Sequence, residues 1–390
     1  MQCKLVRFSE LTAAELCRWE QLRLENGGYE SPFYAVAFTR VVSELRKDVR
    51  VLVAGIGDKP ELFWPLQING RNAEPVGAPF CDYNGPIMSA AWCGDMEELV
   101  SQAGLSCVRM SSAYDPESRF EDYASERDGA YVADLSQGAD VIFERQQKEF
   151  PKHAKKMRRL GRKVEREIGD LTFRFDDRNI AMFDQLIEWK RAQYVMTGRH
   201  DVLSPDWSRQ MLWKLWDSED PTCRGYLHTL RIGDELIAAE FNLTCSATIH
   251  GWIPAYDPKY SSYAPGFLIQ NHILPEASER GYVHYDFGTS AGYYKKFFTN
   301  LQIPVVRATV RSKSPVSRLA AFGEKSWRGL EDAHIPKLSH LAGQVRRRYE
   351  VIRTCEPTFS GRLRGVGSAA RQMLGSLSHS GQKLAEAGEE

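Results

Sequence analysis

With 390 residues and 43% hydrophobic content, the chain is long enough for two globular units, each burying its own core. Lys plus Arg and Asp plus Glu balance at 51 each, which excludes a global field pulling the protein toward nucleic acid or anionic lipid; any such preference must be local. The opening MQCKLVRFSELTAAEL lacks the basic, apolar and small-residue order of a secretory leader, and nowhere do about eighteen apolar residues run together. A soluble cytoplasmic protein is expected, working at the inner face of the membrane if it meets one. The eight cysteines are scattered without a C-x-x-C pair, so buried reduced thiols are expected and no metal site or disulfide frame.

In chain order, CKLVRF reads as a strand, LTAAELCRWEQLRLEN as a helix, and SPFYAVAFTRVVSELR as a helix with a Ser-Pro start. VRVLVAGI and ELFWPLQI form a predicted antiparallel hairpin about the turn Gly57-Asp58-Lys59-Pro60. VGAPFCDYNGPIM is a loop, and a helix with two or three short strands is expected from DMEELVSQAG to YVADLSQG. Residues 140–168 read as one helical region carrying Lys152, Lys155, Lys156, Arg158, Arg159, Arg162, Lys163 and Arg166. A solvated connecting helix is the first reading of that charge, and contact with acceptor phosphate or tRNA the second. Strand LTFRF, helices AMFDQLIEWKRAQYVM and DWSRQMLWKLWDS, and strands GYLHTLRI, ELIAAEFNLT and TIHGWIPAY follow, the first two of these strands joined as a hairpin at Gly233-Asp234. Helix GFLIQNHILPEASERG, strand VHYDF, helix AGYYKKFF and strand VVRATVRS complete an α+β order. Beyond Ser314 the chain reads as helix to about Glu356, then as a mobile Gly/Ser-rich tail.

Pro265 suits a first helical turn and Gly266 leaves that turn bare, exposing N–H groups and the positive end of the helix dipole to a phosphate. This feature alone also fits an ordinary helix start. Just after the short run Tyr282–Tyr285, the stretch DFGTSAGYYKKFF puts an acid, two phenols and two ammonium groups where a strand ends. No cysteine or serine has a convincing nucleophile setting, so any group transfer would be direct. His250, alternating with apolar neighbours, reads as a structural histidine, and His153 and His200 show no pairing pattern.

The order strand, bare helix start, strand and Tyr-bearing helix resembles the GNAT acyltransferases, with Ala291-Gly292-Tyr293-Tyr294-Lys295-Lys296-Phe297 matching the superfamily's tyrosine helix. More narrowly, YDPKYSSYAPGFLI followed by GYVHYDFGTSAGYYKKF resembles the cellulose-biosynthesis (CelD/BcsL) type acetyltransferases, relatives of the Fem peptidyltransferases. VGAPFCDYNGPI, KKMRRLGRKVERE and WKRAQYVMTGRHDVL extend the resemblance to about residues 30–312. One departure is Ser290, where many relatives carry glycine.

The resemblance implies tandem GNAT-like domains with a C-terminal helical extension: 1–139 on the acceptor side, 140–313 with the acyl-CoA site, 314–357 helical, and 358–390 a tail. It implies Tyr294 as the acid that protonates the leaving thiolate, and Lys295 as a contact to the acceptor or the tetrahedral intermediate, a solvated lysine being the equal alternative. Trp252, Ile253, Pro254, Ala255 and Tyr256 would pair with the pantetheine arm, and Tyr263, Ala264, Gly266, Phe267 and Leu268 would surround the diphosphate. Pro254 favours an edge or splayed position. Asp82 and Tyr83 would face the acceptor or form a turn, Trp189, Lys190 and Arg199 would line an acceptor groove or, for Trp189, the core, and Asp286 would cap the following turn or orient a catalytic group. The implied co-substrate is acetyl-CoA or another acyl-CoA, and the acceptor a saccharide or a lipid- or nucleotide-linked sugar, with peripheral contact to membrane biosynthetic machinery and no DNA. The alternatives are Fem-like transfer from aminoacyl-tRNA to a peptidoglycan precursor, and a silent protein that binds saccharide or nucleotide.

Overall fold

The computed structural model describes residues 2–25, 30–56, 59–289, 292–315, 317, 319, 321–323 and 336–367. The chain divides into two compact units: residues 1–190 with 210–314, and residues 191–209 with 315–390.

The first unit opens with β1 (Gln2–Val6), α1 (Ala13–Glu25), α2 (Val36–Leu45), β2 (Val49–Ile56), β3 (Lys59–Asn69), β4 (Asn72–Pro75) and β5 (Ile87–Met88). There follow α3 (Met96–Gln102), β6 (Cys107–Tyr114), β7 (Ala124–Asp134), α4 (Asp140–Glu149), α5 (Pro151–Glu167) and β8 (Leu171–Arg174). Next come α6 (Ile180–Met196) and α7 (Asp206–Trp216), each running across a unit boundary, then β9 (Arg224–Ile232), β10 (Glu235–Cys245) and β11 (Thr248–Tyr256). The unit closes with α8 (Pro265–Glu279), β12 (His284–Thr289) and β13 (Leu301–Arg311), while α9 (Pro336–Cys355) belongs to the second unit. This is the α+β class expected from the sequence, with C-terminal helices.

All the strands join one sheet in the order β1-β2-β3-β4-β6-β13-β7-β12-β11-β10-β9-β8, with β5 on β3. β13, the last strand among the described residues, pairs antiparallel with both β6 and β7. Its Val306, Ala308 and Val310 therefore pack into the core of the first half with Trp64, Leu99, Val108 and Phe120. A second core surrounds α8, where Leu268, Ile269, Ile273 and Leu274 meet Ile249, Tyr285 and Phe287.

Two local readings are corrected. Residues 140–168 are not one helix: the chain breaks at Phe150, and Pro151, whose ring fixes φ and which has no N–H to leave unpaired, starts α5. Of AGYYKKFF, Ala291 lies outside the described residues, and over residues 292–298 there is no α-helix: only Lys295–Phe297 form a single 3₁₀ turn.

Candidate functional site

β11 and β12 run parallel for only three pairs, Thr248 with His284, Ile249 with Tyr285, and His250 with Asp286. On its other edge β11 stays paired with β10 as far as Tyr256. From Gly251 to Tyr256, then, the edge facing away from β10 has no strand partner among the described residues, although the Trp252 N–H donates to Asn242 Oδ1 at 3.0 Å. Pro254 lies in this unpaired stretch and is exposed, so its missing N–H costs no ladder bond. Trp252, half-buried, donates from its indole N–H to the Phe80 carbonyl at 2.8 Å. Ile253 and Ala255 are buried, and Tyr256 is exposed. Lys190, on α6, donates from Nζ to the Pro254 carbonyl at 3.1 Å.

The turn after β11 delivers the chain to α8. Ala264 is its N-cap in the left-handed region at φ 53°, and no side chain caps the helix. Pro265 is buried, Gly266 is exposed, and a Cβ placed on Gly266 would meet no atom within 4 Å. The opening beside Gly266 is thus unobstructed. Phe267 and Leu268 donate their N–H groups back to the Ala264 carbonyl. Tyr263 is half-buried, and its hydroxyl bonds Glu167 of α5 at 3.1 Å.

Tyr294 stands next to this turn. Its ring lies 6.4 Å from that of Phe267 and 6.2 Å from that of Phe287. Burial, then the nearby charges of Glu240 and Asp82, push its pKa up, so the phenol stays a neutral hydrogen-bond donor. Lys295 is not solvated. It is 5% exposed, and its Nζ donates to the carbonyls of Gly288 at 3.1 Å and Thr289 at 2.7 Å. Burial lowers its pKa, opposed by Asp82, Asp286 and Asp128. Ser290 and Ala291 lie outside the described residues.

Strand alternation sorts the remaining groups. Ile249, Tyr285 and Phe287 point to the α8 core, and the intervening His250 and Asp286 point to the opposite face. There His250, fully buried, has Nε2 2.9 Å from Asp82 Oδ2 and Nδ1 3.5 Å from Asp286 Oδ2. Burial alone would lower its pKa, but Asp286 and then Asp82 raise it to about 9, so the ring is an imidazolium at neutral pH. Asp286 is buried too, yet His250 holds its pKa below the usual carboxylate range. Its Oδ1 accepts the Gly288 N–H at 2.7 Å, so it caps its own turn as well as facing the histidine. Tyr83 is buried beside Asp286, and burial followed by that charge pushes its phenol up.

On the α8 face, Glu240 is buried with Gln270 Nε2 at 2.6 Å and the Tyr285 hydroxyl on its other oxygen. Burial raises its pKa to about 7 against these hydrogen bonds.

The structure therefore gathers Asp82, Tyr83, Asp286, Tyr294 and Lys295 around the end of the β11–β12 pairing. Lys190 joins the unpaired edge of β11, while Trp189 is half-buried on α6. Arg199 belongs to the second unit, in a cavity of about 690 Å³ lined also by His200, Arg348 and Arg364. The ligand-type atoms of His200, Cys355 and Glu356 in that unit lie within 4.8 Å of one another, a grouping the cysteine spacing does not foretell. His250 and Glu240 are the buried ionisable residues beside this candidate site that the sequence did not single out for it. The one available signal was a polar residue at an otherwise apolar position of each strand.

Residues 151–296 match the family model described as acetyltransferase (GNAT) domain. The class this domain defines is the GNAT-type acyltransferase, an enzyme. Among solved structures, the C-terminal domain (DUF2156) of a putative lysylphosphatidylglycerol synthetase from Agrobacterium fabrum is similar over 79% of this chain and 95% of its own, at 12% identity and a TM-score of 0.50. A tandem GNAT protein from the clavulanic acid biosynthesis pathway is similar over 80% and 99%, at 11% identity and 0.46. FemX is similar over 70% and 90%, at 11% identity and 0.45. No curated protein matches the chain. Among the described residues, no helix is long and apolar enough to cross a membrane.

Proposed function

We propose that the protein moves an acyl group, acetyl in the first instance, from acyl-CoA to an amine or hydroxyl of a cell-envelope or extracellular polysaccharide or its precursor, in the manner of the cellulose-biosynthesis acetyltransferases. The observation that carries this reading is the divergence of β11 from β12 beside the uncapped start of α8, with the Tyr294 phenol next to it. The edge of β11 over residues 251–256 that faces no strand suits a pantetheine arm, although the Pro254 carbonyl already accepts from Lys190 and the Trp252 N–H donates to Asn242 Oδ1, and the bare turn at Gly266 suits its diphosphate. Tyr294 then donates to the departing sulfur. Lys295, tied to the two carbonyls that follow Phe287, fixes the turn that presents the phenol. In this reading residues 140–313 carry the donor site, and residues 1–139 supply the acceptor side through Asp82 and Tyr83.

A second reading, aminoacyl-tRNA as donor, draws on α5. Its buried stripe is Ala154, Met157, Leu160 and Val164, and its outer faces carry Lys152, Lys155, Lys156, Arg158, Arg159 and Arg162, none in an ion pair among the described residues. Such a surface attracts any polyanion. Incubating the protein with a panel of acyl-CoAs, while following free thiol and product mass, separates the two. Thiol release with acyl transfer supports the first reading; no thiol release, together with salt-sensitive tRNA binding lost on neutralising Arg158, Arg159 and Arg162, supports the second.

A further inference from the structure

The groups on the acceptor face differ in what they have left to offer. His250 is buried with both nitrogens facing carboxylates. Asp286 is buried, with one oxygen on the Gly288 N–H and the other facing His250. Lys295 spends its ammonium on two carbonyls. Glu240, on the α8 face, has both oxygens occupied. Asp82 alone combines access with spare capacity: its side chain is 38% exposed, Oδ2 is bound to His250, and Oδ1 has no hydrogen-bond partner among the described residues. The loop carrying Asp82 is pinned on both sides, at Phe80 by the Trp252 indole (2.8 Å) and at Asn84 by the Tyr34 hydroxyl (3.1 Å). Its carboxylate also lies close enough to Tyr294 for its charge to act on the phenol.

We infer that Asp82 is a catalytic residue, whose free oxygen takes the proton lost by the acceptor's attacking amine or hydroxyl, and that His250 is the positioning residue that aims it. This rests on the proposed acyl transfer. In the step, a bond forms from the acceptor nitrogen or oxygen to the thioester carbonyl carbon, and the carbon–sulfur bond breaks. The nucleophile's proton passes to Asp82, and the sulfur receives one from Tyr294. Proton return from the Asp82 carboxyl to the Tyr294 phenolate through water restores both groups, so the net movement is one proton from nucleophile to sulfur. An attacking amine becomes far more acidic once its nitrogen is bonded to the carbonyl carbon. A weak, well-aimed acceptor then suffices. Asp286, 3.5 Å from the other ring nitrogen, and the Tyr83 ring, packed edge-on at 5.8 Å, hold His250 in place, in the way a carboxylate orients a catalytic histidine.

The test uses the full-length protein with acetyl-CoA as donor and two acceptor probes, glucosamine and hydroxylamine, the latter a neutral nucleophile that needs little help from a base. For Asp82→Asn, kcat with glucosamine is expected to fall at least 100-fold, with the KM for acetyl-CoA unchanged and the hydroxylamine reaction within about threefold of wild type. His250→Gln should fall in the same selective pattern, by about tenfold or more, whereas a merely structural loss would move both probes and the acetyl-CoA KM together. Asp82→Asn retaining half or more of the wild-type glucosamine rate, or losing both probes equally, would overturn the assignment. Wild-type protein that releases no thiol with either probe would overturn the acyl-CoA reading itself, a result distinct from failure at Asp82.

Discussion

Tyr294 meets Phe267 edge-on, with ring centroids 6.4 Å apart and planes at 84°, so the phenol that follows β12 is held against the first turn of α8. Phe287 also packs edge-on against the same ring, with centroids 6.2 Å apart. These contacts do not need the hydroxyl. Tyr294→Phe should therefore keep the fold and the KM for acyl-CoA while lowering kcat by about 10²–10³, as for loss of one general acid. Steady-state thiol release checks this.

Gly288 has φ 73°, and a Cβ there would sit 2.6 Å from Asp82 Oδ2. Gly288→Ala must strain the backbone and push Asp82 off His250. A loss of about 1–3 kcal/mol in stability is expected, with activity falling further than stability alone explains. Urea denaturation alongside a thiol-release assay separates the two effects.

The buried ammonium of Lys295 satisfies the carbonyls of Gly288 and Thr289. Lys295→Met keeps the aliphatic length but leaves those two acceptors without their donor. We expect about 2–4 kcal/mol of destabilisation, read from the urea midpoint, with Lys295→Arg only partly restoring it because a planar guanidinium does not fit a site shaped for an ammonium.

Stability should decline steadily as pH rises from mildly acid to alkaline. Glu240 has its carboxyl raised from the ordinary 4.5 to about 7, so its contribution is complete below 4.5 and lost as pH rises toward 7. His250 is raised from 6.5 to about 9, so its contribution is complete below 6.5 and lost as pH rises through 9. Each window spans on the order of 3 kcal/mol. Asp286, shifted the other way, matters only on acidification below its ordinary range. Denaturant midpoints measured across pH should flatten in the lower window for Glu240→Gln and in the upper one for His250→Gln.

Ala264 takes a left-handed φ of 53° at the entrance to α8. Glycine adopts that conformation without the Cβ clash, so Ala264→Gly should raise stability by up to about 1 kcal/mol. Thermal unfolding checks it. A loss of stability would show that the alanine methyl contributes packing that outweighs the strain.

The sequence by itself determined most of the elements and the backbone features beside the candidate site. Period-two runs marked β9 to β11, Gly233-Asp234 marked their hairpin, and Pro265-Gly266 marked an uncapped helix start, because each is dictated by backbone preferences within a few residues. Other features depend on contacts between distant segments. β13 was legible as a strand, but its place between β6 and β7 comes from burying Val306, Ala308 and Val310 against a core built more than 180 residues earlier in the chain. Lys295 read as a solvated lysine or, by the resemblance, as a contact to acceptor or intermediate, and only the folded turn buries it. The Asp82–His250–Asp286 cluster was out of reach for the same reason: its members are ordinary polar residues until three segments, far apart along the chain, bring opposite charges together, and burial of His250 and Asp286 makes their mutual attraction strong.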